Sequence, residues 1–343
     1  MRNRRLIAAG LAVLVVGAAA CSGDDGSSTD RTAKDEPATT SLAPLPERRP
    51  FEVGSQTETL VDTSRPTPAV PAKQLPAHDD RTIELTVLYP TDEEQLPTDD
   101  AGIVDGIDPP PDTDAEVAPG KFPLLVFAHG WMGSGASLVG PAKRWAGAGY
   151  IVALPTFPLS QEPIGFSGDV VNQPGDVSFV IDTLLAYDED ADSYLGGHID
   201  ADRIAVGGHS LGSVTAFGFE NACCKDPRVK AIVAASGGPQ PYSTGSYDKT
   251  FATPMLLIHG RKDPGVNPAI SQAVFDLTPG KMSLLMIDDG THTSGFAGED
   301  GKVMDEVIVA FLDAELGIDP DAMDGLEAKV TASGRGDLHS KDK

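Results

Sequence analysis

Arg203-Ile204-Ala205-Val206-Gly207 runs without a break into Gly208-His209-Ser210-Leu211-Gly212, and a helix-compatible segment holding Val214 and Phe217 follows. The stretch reads as a short buried strand, a tight turn with glycines on both sides, and a helix start. That is G-x-S-x-G in the strand-turn-helix setting that gives the pattern meaning. The glycines have a steric purpose. A turn this sharp brings neighbouring backbone so close to the serine that bulky side chains would clash, and it leaves the Ser210 hydroxyl exposed at the carboxyl end of its strand.

Outward from this turn, apolar runs of strand length alternate with helix-period segments, the signature of βαβ units and a parallel sheet covered on both faces. Ile83, Leu85, Val87 and Tyr89 alternate as in a partly exposed first strand. Buried runs follow at Leu124–Ala128, Tyr150–Leu154, Arg203–Gly207, Lys230–Ala235, Met255–His259 and Ser283–Ile287. Between them, Val177, Val180, Ile181, Leu184 and Leu185 keep a helical period with Asp176 placed to cap, and Val303, Met304, Val307, Ile308, Phe311 and Leu312 repeat it. Residues 78–318 therefore read as one doubly wound α/β domain, a mostly parallel sheet with helices on both faces. Only Ser236 to Thr253 separate two of these strands, too short a segment for a helical cap, so no large cap domain is expected.

A serine hydroxyl becomes a good nucleophile only when a base takes its proton and a carboxylate orients that base. Of seven histidines, His292 alone stands past the last strand and before the last helix, where a loop could bring an imidazole onto Ser210. His129 and His259 close strands beside glycines and read as packing or turn residues, while His209 is locked next to the serine. Asp263 follows the preceding strand at its carboxyl end, and the chain order Ser210, Asp263, His292 suits this architecture. Asp288 and Asp289 are rivals for the acid, but they sit too near His292 to reach its far ring nitrogen without an awkward loop. Charge developing on a tetrahedral intermediate needs two backbone N–H donors. Leu211 would supply one, and Trp131, in His129-Gly130-Trp131-Met132-Gly133, the other. Pocket walls are expected from Trp131, Met132 and the loop from Phe157 to Phe166.

Residues 78–318 resemble the α/β-hydrolase superfamily. His129-Gly130-Trp131, Pro155-Thr156-Phe157-Pro158, Asp176-Val177, Gly208-His209-Ser210-Leu211-Gly212, His259-Gly260 with Asp263, and Gly290-Thr291-His292 are similar to the branch of chlorophyllases, platelet-activating-factor acetylhydrolases, dienelactone-hydrolase-like proteins and bacterial cutinases. The resemblance implies the α/β-hydrolase fold and a serine esterase or lipase acting on short to medium acyl esters through an acyl-enzyme, with no cofactor. Ser213 stands where a third glycine is frequent. No Trp follows Lys230–Ala235, which argues against polyester cleavage. An acyltransferase using the same residues, and a cell-surface binding protein without turnover, are the other readings.

Composition bounds the partners. The 343 residues carry 26 Lys+Arg against 51 Asp+Glu, a net charge of −25. That argues against nucleic acid, whose phosphates need a basic face, and against electrostatic attachment to anionic lipid. Three cysteines without C-x-x-C spacing indicate no zinc site and no disulfide framework. A small-molecule or lipid ester is the expected partner, met by a monomer.

At the amino terminus, Arg2, Arg4 and Arg5 precede an apolar stretch from Leu6 to Ala20, too short to cross a bilayer. With the small residues Ala18-Ala19-Ala20 it forms a secretory signal over residues 1–20. Cys21 and the polar run after it resemble a bacterial lipoprotein start, although Ala18 stands where Leu is usual. The expectation is export with a lipid on Cys21, membrane contact only through that anchor, and ordinary secretion as the alternative. Residues 21–77 read as a disordered tether, 91–120 as an acidic flexible loop and 319–343 as a tail. Cys223 and Cys224 could be a vicinal disulfide or two buried thiols.

Overall fold

The computed structural model describes residues 49–93 and 112–342. Its centre is a ten-stranded sheet. The strands are β1 (Glu52–Asp62), β2 (Arg81–Thr91), β3 (Asp112–Thr113), β4 (Phe122–Ala128), β5 (Ile151–Thr156), β6 (Ile199–His209), β7 (Val229–Ala235), β8 (Met255–Gly260), β9 (Met282–Ile287) and β10 (Gly336–Lys341). They are ordered β10-β9-β8-β7-β6-β4-β5-β2-β1-β3. Neighbours from β9 across to β5 are parallel, whereas β2 runs antiparallel to both β5 and β1, and β10 antiparallel to β9. All seven strands expected from sequence are present.

The central strands are apolar throughout because both of their faces are covered. Leu124, Val126 and Ala128 of β4 join one core with α2 (Gln173–Glu189), α3 (Leu211–Phe217) and α4 (Ala269–Leu277). Leu125 and Phe127, on the opposite pleat, join the other with α1 (Val139–Gly147), α5 (Gly298–Glu315) and α6 (Leu326–Ser333). Among the described residues no helix is long and apolar enough to cross a membrane.

The expected bounds of 78 and 318 are both too narrow. Residues assigned to the tether form β1, which pairs with β2 residue by residue from Glu52↔Thr91 to Asp62↔Arg81. Its sequence hid this because neither pleat is covered along its whole length: Val53 joins one core and Leu60, on the opposite pleat, joins the other. Val53 and Leu60 are buried, while Glu58 accepts hydrogen bonds from the Tyr187 and Tyr194 hydroxyls. The assigned tail supplies α6 and β10, with Leu326, Val330 and Leu338 buried in the core that α5 also lines. Of the acidic loop 91–120, residues 94–111 lie outside the described residues, as do the signal segment and Cys21.

One local expectation changes and one open alternative is decided. Asp176 does not cap α2, since Asn172 precedes the helix and Asp176 lies buried in its first turn against Arg81. Cys223 and Cys224 are joined to each other, with Cα atoms 3.8 Å apart, in a turn that is not buried.

Candidate active site

Ser210 stands between β6 and α3 with φ +56° and ψ −113°, a conformation that L-residues avoid and that the surrounding packing must enforce. A Cβ on Gly208 would run into the backbone of Gly212, and one on Gly212 into the Ala128 carbonyl, so the flanking glycines are steric requirements of the turn. The Ser210 N–H donates to the Ala235 carbonyl at 2.8 Å, tying the elbow to β7.

Two loops from later strands converge on this hydroxyl. His292, past β9, places Nε2 2.8 Å from Ser210 Oγ, and its Nδ1 lies 2.7 Å from Asp263 Oδ2. Asp263, past β8, also accepts the N–H groups of Gly265 and Val266 on Oδ1, at 2.7 and 2.9 Å. Burial pushes its carboxyl up, but the hydrogen bonds from His292 and these two amides outweigh that and hold it below the ordinary carboxylate value. The rivals point elsewhere: Asp288 pairs with Arg261 and Asp289 with Lys262, both at the surface.

Two further histidines brace this array: from sequence His129 reads as a packing or turn residue and His209 as locked beside the serine, neither with a role in the site. His209 Nε2 donates to the His292 carbonyl at 2.7 Å, fixing the loop that carries His292. Burial pushes its pKa down to about 4, so it stays neutral. His129 donates from Nδ1 to the Gly130 carbonyl at 2.7 Å and accepts the Phe157 N–H at Nε2 at 3.1 Å. One neutral tautomer satisfies both bonds, and burial favours that state by pushing its pKa down. The only available signal was their place beside glycines at the carboxyl ends of strands.

His129 thereby shapes the loop after β4. Gly130 passes so close to Ser210 that a Cβ on it would stand 3.3 Å from Ser210 Cβ. The N–H groups of Gly133 and Met132 are engaged, with Gly130 and Ser160 respectively, whereas those of Trp131 and Leu211 make no hydrogen bond among the described residues. These are the two donors expected from the sequence.

Ser210 opens into a cleft of about 620 Å³ whose walls include Trp131, Val170, Leu211, Val266 and Ile270, with no charged side chain among its lining residues. Trp131 is 56% exposed and anchored by a hydrogen bond from its indole Nε1 to the Gly165 carbonyl at 2.7 Å. The other expected wall residues do not line the cleft. Phe157 is buried in the core against the His129 ring, Phe166 lies over Gly168, and Met132 packs toward Gly165. The loop folds back on itself through Phe166 N–H to Leu159 and Gly165 N–H to Gln161, and so presents Ser167 and Val170 instead. No group of three or more His, Cys, Asp or Glu side chains is placed to hold a metal ion among the described residues.

The serine follows β6, next to β4, whose chain continues away toward β5. The site therefore sits at the carboxyl ends of the strands where the order reverses, the natural crevice of an open α/β sheet. Among solved structures, the ferulic acid esterase from Streptomyces cinnamoneus is similar, with a TM-score of 0.57 at 22% identity over 78% of this chain and 91% of that one. The fold is that of the α/β-hydrolases. No family model and no curated protein matches the chain. Within this α/β-hydrolase fold, β1, β3 and β10 extend the sheet at its two ends, away from the cleft.

Proposed function

We propose that the protein is a serine carboxylic-ester hydrolase. The observation that carries this reading is the continuous hydrogen-bonded chain from Ser210 Oγ through His292 to Asp263, beside two unengaged backbone N–H groups. His292 Nε2 takes the Ser210 proton as Oγ bonds to the ester carbonyl carbon. The Trp131 and Leu211 N–H groups receive the oxyanion. Collapse of the tetrahedral species breaks the bond to the alkoxy oxygen, and His292 returns the proton to the departing alcohol. Water, activated by the same imidazole, then hydrolyses the acyl-enzyme and regenerates Ser210. Asp263 keeps its negative charge throughout and stabilises the imidazolium.

The lining of the cleft supports an uncharged substrate, because an anionic acyl group would find no cationic partner there. No helix intervenes between β7 and β8 to cap the site. Short to medium acyl esters in solution are therefore the proposed substrates, with no jump in rate at a lipid–water interface. The name of the Streptomyces relative agrees with this reaction class. A fluorophosphonate probe should label Ser210, and p-nitrophenyl esters of increasing acyl length should define the range. Ser210→Ala should remove both signals while leaving the fold intact. Product analysis with added alcohol separates hydrolysis from acyl transfer.

Localisation is part of the proposal. Cleavage before Cys21 removes three arginines and makes the remainder more negative still, so retention at an anionic membrane needs a covalent anchor. A single acyl chain holds only marginally, which favours the multiply acylated cysteine of a lipoprotein. Cys21→Ser should release the enzyme, as a monomer, into the medium. Identical partitioning of parent and variant would replace anchoring with plain secretion.

A further inference from the structure

His259, near the end of β8, is wholly buried. Its Nε2 lies 3.2 Å from Asp263 Oδ2, the carboxylate oxygen that also faces His292 Nδ1, and 3.1 Å from the Val266 carbonyl. Its Nδ1 lies 2.7 Å from the Ser271 hydroxyl on α4. Neither oxygen facing Nε2 can donate, so the ring proton belongs on Nε2. Nδ1 then accepts from Ser271, whose hydroxyl is 3.3 Å from its other neighbour, the Gly237 carbonyl. Burial pushes the pKa of His259 below its ordinary value, so the ring stays neutral and its one proton stays in place.

We infer that His259 is a positioning residue: its Nε2–H, shared between Asp263 Oδ2 and the Val266 carbonyl, sets the carboxylate toward His292 and holds the 263–266 turn. The inference rests on the proposed roles of Ser210, His292 and Asp263. The two amides on Oδ1 fix one oxygen of the carboxylate, and His259 supplies the restraint on the other. Val266 is held at both its N–H and its carbonyl, and its residue lines the cleft, so the same bonds couple the orientation of the acid to the cleft wall. The polar chain Ser271–His259–Asp263–His292–Ser210 thus joins α4, β8, both loops and the elbow. A histidine that merely filled space would contribute stability and nothing to the Asp263–His292 bond.

The test compares His259→Leu, which removes the donor, with His259→Gln, whose side-chain amide keeps one. The full-length protein is used, with each variant's fold checked by circular dichroism. Kinetics on a neutral p-nitrophenyl ester are paired with the low-field proton resonance of the His292 Nδ1–H bond, assigned by its loss in Asp263→Asn. Misplacing the acid in His259→Leu should lower kcat by about tenfold to a hundredfold. KM should change by a smaller factor than kcat, since of the cleft wall only Val266 is held by His259. The resonance should shift or broaden, and His259→Gln should restore most of both signals. A folded His259→Leu with unchanged kcat and resonance overturns the inference, and so does a His259→Gln as impaired as His259→Leu. If His259→Leu does not fold, His259→Asn, whose shorter amide cannot reach Asp263, takes its place in the comparison. Should the parent resist the fluorophosphonate probe and hydrolyse no ester while the resonance still follows the variants as expected, the positioning role stands and the hydrolase reading falls.

Discussion

Arg81 and Asp176 meet inside the protein as a two-pronged ion pair. Both are buried, and guanidinium Nε and Nη2 donate to the two carboxylate oxygens at 2.8 and 2.6 Å. The same guanidinium reaches Asp169 at 3.1 and 3.0 Å, in the turn 167–171 that contributes Ser167 and Val170 to the cleft. One cation therefore ties the start of β2 to α2 and to a wall of the site.

Arg81→Met leaves two buried carboxylates without that partner, and breaking a buried pair in this way costs about 3–5 kcal/mol. Urea unfolding should show that loss. In the fraction that remains folded, KM should rise as the 167–171 turn loosens. Arg81→Lys keeps the charge but not the planar fork and should fall between the two.

Asp263→Asn should lower kcat by several orders of magnitude, because the amide disturbs the orientation of His292 and cannot balance an imidazolium. Asp288→Asn and Asp289→Asn should be nearly silent, since their carboxylates pair with Arg261 and Lys262 at the surface. Steady-state kinetics decide, and a larger loss at either surface aspartate would displace Asp263 from its role.

Acid should destabilise the fold well above the carboxylate range. His209 has a folded pKa of about 4 against an ordinary value of 6.5, so the unfolded chain takes up a proton first as pH falls. Stability therefore declines from pH 6.5 down to about 4, by on the order of 3 kcal/mol for this group alone. Burial acts in the same direction on His129 and His259, and the lowered Asp263 carboxyl extends the loss below its ordinary 3.8. Thermal unfolding between pH 7 and 4 should follow this slope, and His209→Gln, which cannot titrate, should flatten it.

Deleting residues 319–343 should be strongly destabilising. The deletion strips β10 from β9 and uncovers the surface that Leu326, Val330 and Leu338 bury. Each fully buried aliphatic side chain is worth about 1.5–3 kcal/mol, and an exposed central strand invites edge-to-edge association. Melting temperature and light scattering should both respond, whereas a merely appended tail would leave them unchanged.

Trp131→Ala should raise KM for neutral esters several-fold while leaving the backbone donor in place, because the indole is a wall of the cleft and its N–H pins Gly165. Esters with a free carboxylate on the acyl group should be poor substrates of parent and variant alike. A charged ester turned over as well as its neutral isostere would contradict the reading of the cleft.

Seven strands, the elbow at Ser210 and the placing of Asp263 and His292 after later strands were legible because each rests on a local signal. Runs such as Leu124–Ala128 are apolar on both pleats, and the glycines at 208 and 212 mark a turn that admits nothing larger. The strands toward the two ends of the sheet carry no such mark. Glu52–Asp62 and Gly336–Lys341 alternate weakly and become strands through the partners β2 and β9 offer them. The side-chain assignments that changed have the same origin. Asp176 looked like a cap until Arg81, 95 residues earlier, was found beneath it. Phe157 was a plausible wall residue until the fold put it under His129. His259 read as a turn residue because its partners, Asp263, Val266 and Ser271, converge on its ring only once β8, its following loop and α4 are packed together. The sequence by itself determined the tight turn at Ser210 and the strand ends at which Asp263 and His292 stand. The strand order of the sheet decided which groups touch, because contacts between residues 29 and 82 positions apart depend on packing that no local pattern encodes.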